Sequence, residues 1–226
     1  MIEVHKIVEQ LSCPTGSLGL EVGEKMNSAN GGMIKNTLAV LDMEDKDTVL
    51  ELGYGNGYHI QAFFEQHPNV QYVGLDISEL MYKEANQRNS SFVRAGKARF
   101  DLYDGGMIPM ADNSFETVFT VNTIYFWNKP RAFVAEICRV LKANGKLVLA
   151  FVHQQSMKQL PFEACGFEVY DLAKLKSILQ GFPMVIQSAE STTEQVTSNT
   201  GEKVNREYLI VNVVYNPKNK KQPNHA

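Results

Sequence analysis

Between Thr48 and Val152 the chain alternates short apolar runs with helical stretches, and that alternation limits the fold more than any other feature. The runs "TVLELG", "VQYVGLD", "ARFDLY", "FETVFTVN" and "GKLVLAFV" are strand-sized. Helical patterns lie between them at about 58–66, 79–90 and 129–142. The last of these places Phe133, Ile137, Val140 and Leu141 on one face and stops at Asn144-Gly145, while Ser78 stands where an N-cap belongs before "ELMYKEAN". Strands separated by helices of this length predict βαβ units and a mostly parallel sheet covered on both faces, a doubly wound α/β fold.

The flanks read differently. "MIEVHKIVEQL", a segment from about Ser17 to Met26 and another from about Met33 to Leu41 read as three helices, broken by "CPTG" and by the polar turn cluster "NSANGG". They predict an N-terminal helical cap over residues 1–45, followed by the main domain at 46–215. Beyond Val152 a helix at about 171–180 precedes "MVIQSAEST" and "REYLIVNVVY", two runs joined by "TSNTGEKVN" that read as an antiparallel hairpin. The tail from 216 to 226, basic and without apolar anchors, reads as frayed and disordered.

Composition narrows the partners. The 226 residues suffice for one sizeable core, and a net charge of −3 provides no basic field for a nucleic-acid backbone or an anionic membrane. No apolar run is long enough to span a bilayer, and "MIEVHKIVEQLSCP" lacks the apolar core of a secretory signal. Cys13, Cys138 and Cys165 form no CxxC pair and have no histidines at metal-ligand spacing, so no metal is expected and a reducing cytoplasm is.

Chemistry concentrates in "VLELGYGNGYH", residues 49–59, where Glu51 interrupts an apolar strand and Gly53, Gly55 and Gly57 follow at strict alternation. A turn without Cβ atoms lets a ligand lie directly on the backbone at the end of a strand. The dinucleotide fingerprint G-x-G-x-x-G would need glycine at 58, where this chain has Tyr58. Asp76 ends the second strand, where a carboxylate can accept from both hydroxyls of a ribose, although an acid heading a helix also serves as a cap. Asp104 opens a loop with Gly105-Gly106, suited to the amine of an adenine or simply to a polar turn.

Together these residues resemble the class I S-adenosylmethionine-dependent methyltransferases of the small-molecule branch. "VLELGYGNG" is similar to that family's first motif and "YVGLDIS" to its ribose-binding second. "IPMADNSFETVFTVNTIYFW" resembles its fourth-strand region, and "EICRVLKANGKLVL" the segment that follows. "PTGSLGLEVGEKMNSAN" resembles more loosely the N-terminal segment of a bacterial subgroup. Tyr54 in place of the commoner cysteine, Ala143-Asn144 for Pro-Gly and Glu116 for Asp are departures that remove no group a cofactor would need. The resemblance implies a seven-stranded sheet with the hairpin at its end, and S-adenosylmethionine as cofactor with S-adenosylhomocysteine as product. Glu51 would face the methionine ammonium, the glycines and Tyr54 would bed the ligand, Asp76 would hold the ribose with Ile77 on the adenine face, and Met81 would also contact the cofactor. Asp104 and Gly105 would recognise the adenine edge, Asn122 would lie near the sulfonium, and Met26 and Asn27 would contact the cofactor and, with Asn30, cap the acceptor pocket. His59 would touch cofactor or solvent.

The acceptor pocket is expected at Asn30, Tyr125, Phe126 and Trp127, although a core cluster would explain the three aromatic residues equally well. His153 and Tyr125 are the candidate bases for an acceptor that keeps its proton. The run "VNTIYFW" lacks the N/D-P-P-Y pattern of adenine and glutamine-amide methylation, so a small molecule rather than nucleic acid or protein is the expected acceptor. A catalytically silent cofactor-binding protein and a nucleotide-dependent oxidoreductase are the alternative readings. The residues specify neither the acceptor nor the oligomeric state.

Overall fold

The computed structural model describes residues 4–158, 168–197 and 203–219. Cys165, the hairpin turn at 198–202 and the tail beyond 219 lie outside the described residues. Seven strands form one sheet in the order β3-β2-β1-β4-β5-β7-β6. The first five are β1 (Thr48–Leu52), β2 (Gln71–Asp76), β3 (Ala98–Leu102), β4 (Phe115–Val121) and β5 (Leu141–Val152), and they are mutually parallel. β7 (Lys203–Tyr215) enters antiparallel between β5 and β6 (Met184–Thr197). Strand order reverses beside β1, whose residues from Val49 to Leu52 are all buried. A central parallel strand is covered on both faces, which is why "VLEL" reads as nearly continuous apolar sequence.

Helices α1 (Val4–Ser12) and α2 (Gly16–Ala39) precede the sheet. Between the strands come α3 (Ile60–Gln66), α4 (Glu79–Arg88), α5 (Ser90–Arg94), α6 (Pro130–Val140), α7 (Gln154–Met157) and α8 (Leu172–Leu179). Ser78 caps α4 as expected: its Oγ accepts from the Met81 N–H at 3.2 Å. The same hydroxyl donates to the Pro14 carbonyl at 2.6 Å, tying the α1–α2 connection to the tip of β2. Asp171 caps α8 through the Lys174 N–H at 2.7 Å. No helix among the described residues is long and apolar enough to cross a membrane.

The expected break at "NSANGG" does not occur, and α2 runs through it without interruption. Those polar and small residues serve contacts instead of a turn. Arg206 donates to the Ala29 carbonyl at 2.6 Å and to Asn30 Oδ1 at 3.1 Å. A Cβ at Gly32 would lie 2.3 Å from Glu194 Oε2. Packing from a distant hairpin thus supplies what local propensity lacks.

That hairpin is longer than the sheet requires. Tyr208–Val214 of β7 pair with residues 146–152 of β5, while residues 203–207 continue past the end of β5, paired with residues 193–197 of β6. The overhang forms an arm above the carboxyl ends of the parallel strands. Asn36 Nδ2, donating to the Tyr208 hydroxyl at 2.6 Å, fastens α2 to the arm's base.

Candidate active site

A cavity of about 490 Å³ opens at the carboxyl ends of β1, β2 and β4, roofed by α2 and the β6–β7 arm. Its position at the point of strand reversal is where open α/β sheets place ligands, and its volume is ordinary for a small-molecule site. One half is built by the turn after β1 and the tip of β2, the other by α2, the end of β4 and the arm.

Gly53, Gly55 and Gly57 all have positive φ, at 79°, 57° and 65°. Their missing side chains face different neighbours. A Cβ on Gly53 would lie 2.3 Å from Thr123 Cγ2, and one on Gly57 would lie 2.6 Å from Asn89 Nδ2, whereas one on Gly55 would meet nothing within 4 Å. Gly53 and Gly55 line the cavity and Gly57 does not. Gly57 is therefore a packing glycine, its carbonyl held by Asn89 at 2.9 Å, and not part of the ligand bed that the motif suggests.

Asp76 is 7% exposed and lies on the cavity wall. Its Oδ2 accepts from the Gly55 N–H at 2.9 Å and its Oδ1 from the Ser78 N–H at 3.0 Å. The carboxylate thus clamps the glycine turn as well as capping the chain that leads to α4. Burial raises its pKa to about 6 against the pull of these amides. The folded value lies above the unfolded one, so this group's contribution to stability is greatest below pH ~4. It declines by roughly 3 kcal/mol as pH rises past 6. A ligand that donates hydroxyls to the ionised carboxylate has the opposite preference. We expect S-adenosylhomocysteine affinity to fall by up to about tenfold per pH unit below 6 and to level off above it. Titration calorimetry between pH 5 and 8 checks this, and a flat profile contradicts the contact.

Glu51 is 2% exposed, at the end of β1. Its Oε2 receives both the Tyr72 hydroxyl and, at 2.8 Å, His59 Nε2. Burial, followed by the adjoining Glu51 charge, keeps the Tyr72 phenol far above its ordinary pKa and so protonated. Oε1 has no partner among the described residues, and Glu51 lines the cavity. A buried carboxylate with one oxygen braced and the other open suits an ammonium. Tyr72 and His59 as its braces were not foreseen; "VQYVGLD" carried no signal beyond an ordinary strand tyrosine.

Tyr54, Ile77, Met81, Gly105, Met26 and Asn27 all line the cavity as expected. Asp104 does not. It is exposed, and its Oδ1 accepts from the Gly106 and Met107 amides at 2.8 and 3.0 Å, the polar-turn alternative. Those amides hold its pKa below the usual range. The loop presents Tyr103 and Gly105 to the cavity in its place.

At the other half, Asn122 follows β4 in the left-handed region, φ 59°. Its Nδ2 donates to Asn30 Oδ1 at 3.1 Å and its Oδ1 accepts from the Tyr125 hydroxyl at 3.0 Å. Tyr125 also accepts the Val152 N–H, and burial pushes its pKa up, so its proton is committed and it is poorly suited as a base. Asn30, Tyr125 and Phe126 line the cavity. Trp127 does not: it packs edge-on against Phe133, with centroids 4.9 Å apart, and its Nε1 donates to Thr123 Oγ1 at 3.3 Å. Of the aromatic run, Trp127 belongs to the core. His153 also stays off the cavity wall; its Nδ1 accepts from the Gln155 N–H at 3.4 Å, capping α7, and lies 3.7 Å from Glu207 Oε2. Arg206, on the arm, was missed altogether. It read as the polar start of an apolar strand, yet it is 9% exposed and lines the cavity.

A doubly wound sheet of this strand order, with a glycine turn after β1 and buried carboxylates at the ends of β1 and β2, is a Rossmann-like fold with a ligand-sized cavity at its switch point. Comparison with known proteins carries this further. Residues 50–149 match the family model described as a methyltransferase domain. The chain is 26% identical over 163 residues to the uncharacterised methyltransferase YdaC of Bacillus subtilis, covering 66% of this chain and 87% of that protein. It is 28% identical over 128 residues to the malonyl-[acyl-carrier protein] O-methyltransferase of a Marinomonas species, covering 57% of this chain and 46% of the relative. Several other curated relatives are likewise matched over about half their length. Among solved structures, a chain of the Haloferax volcanii complex between the Trm112 methyltransferase activator and a methyltransferase superposes with a TM-score of 0.72 at 18% identity, over 86% of this chain and 93% of that one. Together these likenesses support a class I S-adenosylmethionine-dependent methyltransferase, with the methyltransferase domain at residues 50–149.

Proposed function

We propose that this cavity binds S-adenosylmethionine in its Glu51–Asp76 half and a small-molecule methyl acceptor in its α2–arm half. The observation that carries the reading is one cavity with two unlike ends. Buried carboxylates flank bare backbone at one end; Ile34, Phe126, Val196 and Val204 make the other largely apolar. When bound, the cofactor supplies an electrophilic methyl group on a sulfonium.

The chain's own residues bind and align. Glu51 Oε1 receives the ammonium, with its geometry fixed by Tyr72 and His59. Asp76 accepts the ribose hydroxyls while holding the Gly55 amide, so the turn and the diol share one anchor. Ile77 and Gly105 flank the base, with Asn122 beside the reacting centre. The catalytic contribution is then mainly placement: acceptor, methyl and sulfur held in line, with the arm and α2 excluding water. The N-terminal helices act as the cap over residues 1–45, and an acceptor that reacts without help from a protein base fits the commitment of Tyr125. The acidic net charge and the apolar acceptor end favour a small molecule over nucleic acid.

Methyl-labelled cofactor tests the reading. In a cell extract, label is expected in the low-mass organic fraction; label confined to precipitable protein or nucleic acid contradicts a small-molecule acceptor. Tight cofactor binding without transfer to any fraction would instead support the silent alternative. His153→Ala is expected to leave kcat/KM within about twofold, measured with whichever acceptor the label reveals; a loss of a hundredfold would restore His153 as a base.

A further inference from the structure

Arg206 is the one lysine or arginine among the described residues lining the cavity. We propose that it anchors the acceptor, and that the acceptor is a carboxylic acid on an apolar body, its carboxylate docked on the guanidinium. This rests on the methyltransferase reading of the cavity and adds the chemical class of its second ligand.

Placement comes first. Arg206 Nη1 donates to Asn30 Oδ1 at 3.1 Å, and the same oxygen receives Asn122 Nδ2 at 3.1 Å. Arg206 is therefore separated from the end of β4, where transfer takes place, by a single side-chain amide. The guanidinium is also held in advance. Nε and Nη2 donate to Glu194 Oε1 at 3.2 and 2.5 Å, and Nη2 donates to the Ala29 carbonyl at 2.6 Å. Four of its five N–H groups are thereby used. The fifth, on Nη1, has no partner among the described residues and sits on the nitrogen that faces Asn30.

Charge distribution points the same way. The other full charges on the wall, Glu51 and Asp76, lie at the cofactor end, where the ammonium and the diol engage them. That leaves one positive group at the acceptor end, among Ile34, Val196 and Val204, where little water competes with it. Glu194 is not part of the wall; it braces the far edge of the guanidinium before the ligand arrives. Bracing by an acid also limits the preference for anions, which sets the expected discrimination near tenfold rather than thousands.

The test is titration calorimetry on the full chain preloaded with S-adenosylhomocysteine, whose own binding is measured first. Failure of that first step strikes the cofactor reading, not this one. Octanoate and phenylacetate are then compared with octanamide and phenylacetamide. At least one acid is expected to bind about tenfold or more tightly than its amide. Arg206→Met should erase the difference while S-adenosylhomocysteine affinity holds. Glu194→Gln should tighten acid binding by removing a competing negative charge, an effect that a purely structural latch would not produce. Acids that bind no better than amides to the wild-type protein overturn the proposal, even if Arg206→Met fails to fold. So does an acid preference that survives Arg206→Met.

Discussion

Replacing Asp76 with alanine is expected to weaken S-adenosylhomocysteine binding by roughly 1–3 kcal/mol, about 5- to 150-fold, the scale of hydrogen bonds to a charged group. Its effect on folding should be much smaller, because two terms oppose. The substitution removes a carboxylate whose burial raises its pKa to about 6, which relieves the folded state at neutral pH. It also strips the Gly55 and Ser78 amides of their acceptor, which costs about 1–3 kcal/mol for each amide left without water. The melting temperature should therefore move little while affinity drops. Asp76→Asn removes the charge and keeps one of the two acceptor oxygens, for either the Gly55 or the Ser78 amide, so its affinity should lie between those of wild type and alanine. A folded Asp76→Ala protein with wild-type affinity refutes the ribose contact.

Gly53→Ala is expected to produce the largest loss of stability, with Gly55→Ala as its control. At Gly53 a Cβ must accept φ 79° and a contact of 2.3 Å with Thr123 Cγ2. Thr123 cannot simply turn away, since its Oγ1 bonds Thr120 and receives the Trp127 indole. Left-handed strain of about 1–2 kcal/mol and overpacking of about 1–3 kcal/mol add to roughly 2–5 kcal/mol. For a chain of this size that is a fall in melting temperature of about 5–15 °C. Gly55→Ala bears only the backbone strain, because nothing lies within 4 Å of its Cβ. Its methyl lies instead on the cavity wall, so it should lose only about 1–2 kcal/mol, roughly 2–8 °C in melting temperature, and bind S-adenosylhomocysteine poorly. Thermal denaturation and calorimetry on the two variants distinguish the roles. Equal losses of stability would contradict the separate roles of Gly53 and Gly55.

What could be read from sequence follows the range of the interactions involved. The βαβ alternation, the Ser78 cap, the glycine turn and Asp76 are encoded within a few residues of one another, and each appears where its local pattern places it. The misreadings depend on contacts between distant segments. "NSANGG" reads as a turn until Arg206, 176 residues away from Asn30, is found bonded to it. Trp127 and Phe126 are neighbours in one aromatic run; only the position of Phe133 assigns the first to the core, while the second lines the cavity. His153 follows an apolar strand as a catalytic residue could, but its ring nitrogen is used within its own short helix. Glycine alternation likewise cannot distinguish a residue that clears space for Asn89 from one that clears it for a ligand.

These differences shift the site without changing its logic. The proposed cofactor end rests on two buried acids that the sequence displays openly, and the proposed acceptor end is assembled by an arm whose contribution emerges only in three dimensions. Selectivity for the acceptor is therefore expected to depend on α2 and the hairpin, and cofactor affinity on the turn and β2.

The most direct measurement is a crystal structure of the chain with S-adenosylhomocysteine. The account predicts both ribose hydroxyls within about 3.2 Å of the Asp76 carboxylate and the ammonium within the same distance of Glu51 Oε1. The sulfur should point toward Asn122 and the acceptor end. A ligand whose ribose lies away from Asp76, or whose ammonium is held elsewhere than at Glu51, would contradict it.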